Sequence, residues 1–187
     1  MKRAVLGAKW TEATVGRAVV KSYFKGAVLA VPCCGWTGHE ADMLVVTKDL
    51  RLIDAEVKIS RADLRADAKK DKWWEHRPWS RRAELAGESS GRDARQWPPK
   101  VWKHYYVMPD AVWCEDLAAC IPPASGVLLL RGCGPDQHGG ITELRRAQPN
   151  RDAERLKASD AVDIARLAGL RMWDALVRLD AANKEQT

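Results

Sequence analysis

The sequence predicts an α/β protein in which a central mixed sheet is flanked by helices. One supporting observation is that apolar side chains recur at helical spacing near both ends of the chain, over about 12–25 and about 160–181. The other is that the intervening sequence holds short apolar runs bounded by turn residues, as strands are. At 187 residues, the chain is expected to form a single domain, 1–187.

The first predicted helix, about 12–25, begins after Thr11, whose hydroxyl suits an N-cap. Val15, Val19 and Tyr23 follow at helical spacing and form one apolar stripe. A glycine just beyond this stripe indicates the end of the helix. The first helix is therefore expected to pack one face against the sheet.

A short strand is expected over 28–31, and a turn-rich loop follows it. Cysteines and histidines in this loop and in a glycine-rich turn at 132–140 could suggest a zinc site. They lack the Cys-x₂-Cys spacing that makes a zinc prediction specific, so zinc is the weaker interpretation. The residues concerned are Cys33, Cys34, His39, Cys133 and His138.

The next two strands form a predicted hairpin, and both of them carry acids that a purely structural strand would avoid. In the second strand, alternation places Asp54, Glu56 and Lys58 on one face and apolar side chains on the other. Pairing across the hairpin should bring Asp42 towards Glu56 and Lys58. Two carboxylates and one ammonium group are therefore expected to converge.

Such a group has the composition of a site for a hard cation, because carboxylate oxygens bind Mg²⁺ while a phosphate supplies further ligands. A nearby ammonium group can stabilise charge on a phosphoryl oxygen or orient a metal-activated water. The pattern therefore points to metal-assisted phosphodiester cleavage. A solvated hairpin face is the alternative, since Glu-x-Lys alternation is common on exposed strands.

Asp42, followed by Glu56-Val57-Lys58, resembles the signature of the PD-(D/E)XK nuclease superfamily. The run 56–67, with Lys72-Trp73 after it, is more similar still to the MmcB-like DNA-repair branch of that superfamily. This resemblance implies a restriction-endonuclease-like core and a metal-dependent DNA nuclease that uses Mg²⁺, with Mn²⁺ able to substitute. Asp42, Glu56 and the backbone carbonyl of Val57 would hold the metal, and Lys58 would act beside it.

The resemblance extends with gaps from about residue 11 to 179, and it includes the segments 105–109 and 121–129. The chain departs from it in two places. The superfamily's proline before the first aspartate is Ala41 here, and residues 77–102 form an insertion relative to the MmcB-like branch. The role of that insertion is left open by the resemblance.

Two further acids are candidate members of the site. Glu12 lies at the start of the first helix, where an acid also suits the helix dipole. Because many superfamily members carry a first-helix glutamate that reaches the metal, Glu12 is a possible additional site residue. Glu40 lies two residues before Asp42 on the same strand face, so it either assists the metal or stays solvated.

A helix is predicted from the Ser60-x-x-Asp63 capping box to about His76, directly after Lys58. Bases recur along it at steps of four, four and three, so they form a stripe suited to a phosphate backbone. The alternative is a solvated face, because aspartates interleave with these bases and can pair with them. The stripe consists of Arg61, Arg65, Lys69 and Lys72.

The segment 77–103 concentrates positive charge, with seven Lys or Arg residues against three acids. Glycines and a Pro-Pro pair argue against one continuous element, so a long basic loop is expected. Basic residues alternating with indole rings could grip DNA through phosphates and stacked bases. We assign this role to Arg77, Trp79, Arg81 and Arg82, whereas Trp97 and Trp102 are expected to anchor the loop to the core.

Two more strands are expected over 104–108 and 127–130, with a short helix at 111–120 between them. Cys114 and Cys120 are expected to be buried small side chains in that helix. The closing helix, about 160–181, carries an apolar stripe that predicts core packing, and an exposed version of the stripe would be a dimer face. The stripe comprises Ala161, Ile164, Ala165, Ala168, Met172, Ala175, Leu176 and Leu179.

The composition favours a polyanionic partner, because the formal net charge is +6 and the isoelectric point is near 9.2. An odd number of cysteines, five, and no apolar signal segment argue for the cytoplasm, and no run reaches membrane-spanning length. DNA is the expected partner, RNA is left open, and a homodimer is possible. The alternative from another class is a nucleic-acid-binding protein that has a nuclease fold and cuts little or nothing.

Overall fold

The computed structural model describes residues 9–76, 92–137 and 139–185. It is an α/β protein with a central mixed sheet flanked by helices, which confirms the predicted class and is compatible with a restriction-endonuclease-like core. The strands are β1 (Leu29–Cys34), β2 (Ala41–Val46), β3 (Leu52–Val57), β4 (Trp74–His76), β5 (Arg92–Ala94), β6 (Lys103–Pro109), β7 (Gly126–Leu130) and β8 (Ile141–Arg145). The α-helices are α1 (Glu12–Ser22), α2 (Arg61–Asp67) and α3 (Ala158–Glu185).

Six of these strands form the central sheet, in the order β1-β2-β3-β6-β7-β8. The first three are antiparallel, and β3, β6 and β7 run parallel to one another, while β8 returns antiparallel to β7. The connection from β3 to β6 contains α2 and a small hairpin of β4 and β5. Because β3 lies between the antiparallel and parallel parts, both of its neighbours contribute side chains to its faces.

The helix α1 covers the first face of the sheet. Its N-terminus is capped by Thr11 as predicted, but it ends at Ser22, and Tyr23 is the C-cap, three residues before the predicted stop. Val15 and Val19 are fully buried and pack with the apolar side chains of β2, β3 and β6 on this face. The period-2 pattern of β3 thus places Ile53, Ala55 and Val57 on the face that α1 covers.

The second face of the sheet holds two separate apolar clusters. One joins β1 and β2 to the start of α3, and the other joins β6 and β7 to α2 and the segment after it. Leu44 and Ile164 are fully buried members of the first cluster, and Leu64 and Tyr106 are fully buried members of the second. The polar side chains of β3 lie on this second face, between the two clusters.

The predicted helix from residue 60 to about His76 is wrong in its length. Ser60 caps it as expected, but α2 ends at Asp67, and a 3₁₀ turn, Asp71–Trp73, precedes β4. A continued helix would carry the side chains of Lys72 and Trp73 away from that of Asp67. In the folded chain the tighter turn instead brings both back to Asp67, whose carboxylate accepts a hydrogen bond from the Trp73 indole at 3.2 Å.

The later strands occur where they were predicted, with β6 and β7 slightly longer than expected. The predicted helix at 111–120 is instead two 3₁₀ turns, Asp110–Val112 and Glu115–Cys120. Cys114 and Cys120 are half-buried there rather than buried. The strand β8 was not predicted, because its sequence lacks a clear apolar alternation and its side chains are half-buried or exposed.

The prediction that the whole apolar stripe of the closing helix packs in the core is wrong. Ile164 is fully buried, but every side chain of α3 that the structure describes from Leu170 onwards is exposed. The helix runs past the sheet, so only its first half has β1 to pack against. Within the described ranges, no helix combines the length and apolar character needed to cross a membrane.

Candidate metal centre

The polar face of β3 is buried rather than solvated. Asp54 and Glu56 have no exposed surface, and Lys58 has 1%. Charged groups lose their hydration when they are buried, so a buried row of three requires partners for each. This observation rules out the interpretation of the segment as an ordinary exposed hairpin face.

Asp42 lies where the pairing of β2 with β3 ends. The paired residues run from Val46 with Leu52 to Met43 with Ala55, so the next position along sets Asp42 opposite Glu56. There the Asp42 carboxylate accepts a hydrogen bond from the backbone amide of Val57 at 2.8 Å. Because the amide and carbonyl of one strand residue point to the same side, the Val57 carbonyl also faces the side of β3 on which Asp42 lies.

The carboxylates of Asp42 and Glu56 lie close enough to perturb each other. Burial raises the pKa of Asp42, and the neighbouring Glu56 raises it further, to about 7 from an ordinary 3.8. Two carboxylates that face one another repel when both are charged, so one holds a proton or both share a cation. Asp42 is half-buried and is therefore the member of this pair that lies nearer to solvent.

Three lysines surround Glu56. Lys58 donates to it at 3.0 Å, Lys72 also donates to it, and Lys70 approaches it at 3.5 Å. Burial alone would raise the pKa of Glu56, but the ammonium groups of Lys72 and Lys58 outweigh burial and lower that pKa to about 2. Glu56 is therefore charged at neutral pH, and its two oxygens are directed at lysines.

Asp67 is a second buried acid that shares these lysines. Its carboxylate lies 3.0 Å from the Lys58 ammonium and 2.8 Å from that of Lys70, and it accepts a 2.5 Å hydrogen bond from the Tyr106 hydroxyl. Burial favours the neutral acid, yet Lys72 and Lys58 hold the pKa of Asp67 well below its ordinary value. Burial likewise lowers the pKa of Lys58, but Glu56 and Asp67 raise it above its ordinary value, so the ammonium stays protonated.

The four bases predicted to bind phosphate do not form one stripe. The prediction that Lys72 belongs to a phosphate-binding stripe is wrong, because Lys72 is buried and ion-paired with Glu56 and Asp67 rather than exposed to solvent. Arg65 and Lys69 are exposed, although Lys69 follows the end of α2. Arg61 is exposed as well, and its guanidinium donates to the carbonyl of Val112 at 2.9 Å.

The remaining predicted site residues are not buried within this cluster, or they lie outside the described ranges. Glu12 is exposed on α1, which packs on the opposite face of the sheet from Glu56, and Glu40 is exposed just before β2. The two tryptophans expected to anchor the basic loop do contact the rest of the chain. The Trp97 indole donates to the carbonyl of Gln148 at 3.0 Å, and Trp102 is half-buried against the core on the face of the sheet that α1 covers. The basic-loop residues Arg77, Trp79, Arg81 and Arg82 lie outside the described residues.

A set of buried polar residues that sequence reasoning did not assign to the site lies beside Asp54. The parallel pairing of β3 with β6 sets His104 next to Asp54 and Tyr106 next to Glu56. Burial lowers the pKa of His104 to about 4, so its imidazole is neutral at neutral pH. The alternation that places Asp54 with Glu56 was visible in the sequence, but the register between parallel strands was not.

The zinc interpretation gains no support from the geometry. Among the residues that the structure describes, the acids, cysteines and histidines close enough to share an ion are Asp54, Glu56 and His104. His39 contacts Asp54 instead of a cysteine, and His138 lies outside the described ranges. The cysteines therefore do not contribute to a metal group in the described part of the chain.

No protein-family model matches the chain, and no curated protein matches it. Among solved structures, the chain is similar to SPO1766, a protein of unknown function from Silicibacter pomeroyi, at 16% sequence identity and with a TM-score of 0.48. The similarity covers 92% of this chain and 90% of that one. A TM-score of this size supports no argument about function, so the function must be inferred from the side chains themselves.

Proposed function

We propose that the protein is a metal-dependent DNA nuclease of the PD-(D/E)XK type that hydrolyses phosphodiester bonds. The observation that carries the proposal is the convergence of Asp42, Glu56 and Lys58 at the point where β2 and β3 stop pairing. A strand pair with a purely structural role has no need of two facing carboxylates there, since each raises the cost of charging the other.

Oxygen atoms are the ligands that Mg²⁺ prefers, and this part of the site offers Asp42, Glu56 and the Val57 carbonyl. Mn²⁺ accepts the same ligands. When bound, the metal would polarise a phosphoryl oxygen and acidify a water molecule. The residues of the chain that we propose as its ligands are thus all on β2 and β3, which hold them rigidly.

Lys58 would stabilise the negative charge that develops on the phosphoryl group. Its ammonium is held protonated by Glu56 and Asp67, so it suits electrostatic stabilisation rather than proton abstraction. Its side chain is buried among these acids, which fixes its position before substrate arrives. Asp67 would therefore act as a positioning residue for Lys58.

The DNA backbone would be held by exposed bases next to this site. Arg61, Arg65 and Lys69 are exposed on and just after α2, which begins four residues after Val57. The basic loop adds Arg77, Arg81 and Arg82 along the chain, with Trp79 as the candidate for stacking on a base.

Cytoplasmic location remains part of the proposal, because all five cysteines are free thiols.

A second candidate function is binding of nucleic acid with little or no cleavage. The observation that favours it is that the ammonium groups of Lys58 and Lys72 already neutralise the two oxygens of Glu56. In a metal-free protein that keeps a nuclease fold, lysines could replace the cation permanently. The two candidates therefore differ in whether Glu56 is released to a metal.

The deciding experiment is incubation of the purified protein with single-stranded, duplex and branched DNA, and with RNA, in Mg²⁺, Mn²⁺ or EDTA. We expect cleavage of DNA with either metal, none in EDTA, and cleavage at least about 10²-fold slower with Glu56→Gln. Glu40→Gln is the matched control, because Glu40 is exposed and one residue outside β2. Tight DNA binding without cleavage under every metal condition would establish the second candidate instead.

We also propose that the exposed half of α3 pairs with a second copy of the chain. The hydrogen bond of Arg171 to the carbonyl of Cys33 marks the side of the helix that faces β1. Helical spacing puts Trp173, Leu176 and Val177 on the side away from it, and they are 62%, 42% and 67% exposed. Contiguous apolar surface of this kind is typical of an interface.

The sequence of α3 suits antiparallel pairing with itself about Trp173. Such pairing sets Leu170 of one helix opposite Leu176 of the other, and Arg166 opposite Asp180, twice by symmetry. A small residue, Gly169, would face Val177 and let the helices approach, since space beside it is open. Charge complementarity and apolar matching therefore both favour a second copy as the occupant of this surface.

A further inference from the structure

The strand β6, which pairs with β3 beside the proposed Mg²⁺ ligands, carries a buried histidine. One nitrogen of its imidazole has no hydrogen-bond partner among the described residues. His104 is fully buried on β6, and its Nδ1 lies 3.0 Å from the hydroxyl of Ser125. Its Nε2 has no hydrogen-bond partner among the described residues. Trp73 and Tyr106 hold the ring edge-on, each with ring centroids 4.8 Å away, so the free nitrogen is fixed in direction.

Asp54, beside His104, is a buried carboxylate with one unused oxygen. Its Oδ2 lies 2.9 Å from Nε2 of His39. The other ring nitrogen of His39, Nδ1, lies 3.1 Å from the hydroxyl of Thr37. The Oδ1 of Asp54 is buried and has no hydrogen-bond partner in the described part of the chain. A buried polar atom without a partner destabilises the fold, so the unused atoms of Asp54 and His104 are each expected to bind something.

The ligand atoms of Asp54, Glu56 and His104 all lie within 4.8 Å of one another. Ligands of one first-row metal ion lie about 2.0–2.2 Å from it, so small side-chain movements would gather these three atoms around a single ion. Ser125 and His39 already hold His104 and Asp54 from behind. Such outer partners are what a metal site needs to fix the orientation of its ligands.

We propose that Asp54, Glu56 and His104 bind a transition-metal dication such as Mn²⁺, at a site distinct from the Asp42 site and adjoining it through Glu56. An imidazole nitrogen favours transition metals over Mg²⁺, which takes oxygen ligands. The entering ion must displace Lys72 from Glu56. The displaced Lys72 ammonium can stay paired with Asp67, because the Oδ2 atom of Asp67 lies 3.7 Å from it.

This site does not require that the protein cleave DNA, so it is tested by binding of Mn²⁺ to the untagged protein without nucleic acid. Electron paramagnetic resonance would count bound Mn²⁺ and detect a nitrogen ligand through its magnetic coupling to the metal. We expect a nitrogen-coupled Mn²⁺ in the wild-type protein. We further expect that Mg²⁺ at equal concentration fails to displace it.

Two variants remove the ligands while keeping the shape of the site. Asp54→Asn and His104→Phe should each weaken binding of the nitrogen-coupled ion at least about tenfold, and His104→Phe should remove the nitrogen signal. Circular dichroism establishes that each variant is folded. Asp42→Asn is the control that keeps the signal, because it removes a side chain that belongs to the proposed Mg²⁺ site alone. In His39→Gln the affinity should fall, because His39 holds Asp54, but the nitrogen coupling should remain, because His104 supplies it.

Mn²⁺ without nitrogen coupling in the wild-type protein would overturn the proposal, and so would coupling that survives in folded His104→Phe. Unchanged affinity in folded Asp54→Asn would do the same. Loss of cleavage alone has no bearing on this result. A protein that binds nitrogen-coupled Mn²⁺ and cuts no DNA would contradict the proposed nuclease function and leave this site intact.

Discussion

The polar face of β3 and the second half of α3 depart from the usual distribution of residues in opposite directions. The first buries charge: Asp54, Glu56 and Lys58 are at most 1% exposed. The second exposes large apolar side chains, among them Trp173 at 62%. Neither arrangement is favourable in an isolated chain, because buried charges lose hydration and exposed apolar surface orders water.

The two regions differ in what balances that cost. Around Glu56 and Asp67 the chain supplies its own counter-charges, so the region is satisfied internally and its acids stay ionised. Along α3, by contrast, Trp173 is left exposed by every residue that the structure describes. Under the proposals made above, the buried charge belongs to a pre-organised site, whereas the exposed apolar surface belongs to an interface that a second copy of the chain completes.

The largest effect is expected from breaking the buried charge network. Lys72→Ala should lower the free energy of unfolding by about 3–5 kcal/mol, because it leaves Glu56 and Asp67 with less compensation inside the protein. Lys69→Ala is the matched control and should stay within about 0.5 kcal/mol of the wild-type protein, since Lys69 is exposed. Urea unfolding followed by circular dichroism measures both. Equal stabilities of the two variants would mean that the ion pairs of Lys72 contribute nothing to the stability of the fold.

The contrast between these two lysines also shows what the sequence could not provide. Both belong to one predicted basic stripe, because a spacing of three is compatible with a single helix face. The helix ends at Asp67, whose side chain is bonded to Trp73 and Tyr106, six and 39 positions further along the chain. Helical spacing could not anticipate contacts of this range.

Local patterns did predict the class of fold and which side chains converge in the candidate site. The period-2 alternation of β3 placed Asp54, Glu56 and Lys58 on one face, and the hairpin brought Asp42 to Glu56. His104 could not be found in that way, because its position depends on the register of two parallel strands whose paired residues lie 50 positions apart in the sequence. The exposure of α3 was also hidden, since an apolar stripe has the same pattern whether a sheet or a second molecule covers it.

The next effect concerns cleavage. Glu56→Gln and Lys58→Ala should each reduce the rate of metal-dependent DNA cleavage by about 10²–10³-fold, because each removes charge from the proposed reaction centre. Thermal unfolding and DNA affinity are measured in parallel, so that a loss of fold is separated from a loss of chemistry. Full cleavage by folded Glu56→Gln would contradict its assignment as a metal ligand.

A smaller effect is expected at the apolar half of α3. Trp173→Asp should weaken self-association by about 2 kcal/mol or more, which is the size seen for aromatic residues at the centre of an interface. Sedimentation of the protein over a range of concentrations measures it. Ala175→Asp is the control, because it adds the same single negative charge at an exposed position on the other side of the helix.

The pairing predicted for α3 can be tested further by exchange of charges. Arg166→Asp alone should weaken the dimer, and Arg166→Asp combined with Asp180→Arg should restore it. A wild-type protein that is monomeric at every concentration tested would contradict the second copy as the occupant of this surface.

The basic loop should affect binding of DNA more than its cleavage. Replacing Arg77, Arg81 and Arg82 together by alanine should lower DNA affinity and flatten its salt dependence, by about one unit of slope for each phosphate that the variant no longer binds. Arg17→Ala is the control, since Arg17 is exposed on α1, across the sheet from Glu56. Trp79→Ala should cost about 1–3 kcal/mol of binding to single strands with little change in slope. If both variants bind like the wild-type protein, the charge of this loop is ordinary solvated surface.

The smallest effect is expected at Asp42, where the buried site meets solvent. Its pKa in the folded protein is raised to about 7, so between about pH 4 and 7 the folded chain holds a proton that the unfolded chain releases. Stability of the metal-free protein should therefore fall as pH rises through this range. Mg²⁺ competes with that proton, so its affinity should rise about tenfold from pH 6 to pH 8 and level off above.

Calorimetric titration with Mg²⁺ at pH 6, 7 and 8 measures this dependence, with Asp42→Asn as the variant. Asparagine carries no proton to be displaced, so the variant should bind Mg²⁺ weakly and with little dependence on pH. Asp63→Asn is the control, because Asp63 is an acid that stays partly exposed 3.7 Å from Lys58 and is not a proposed ligand. A pH dependence that persists in Asp42→Asn would assign the titration to another group and remove Asp42 from the proposed ligand set.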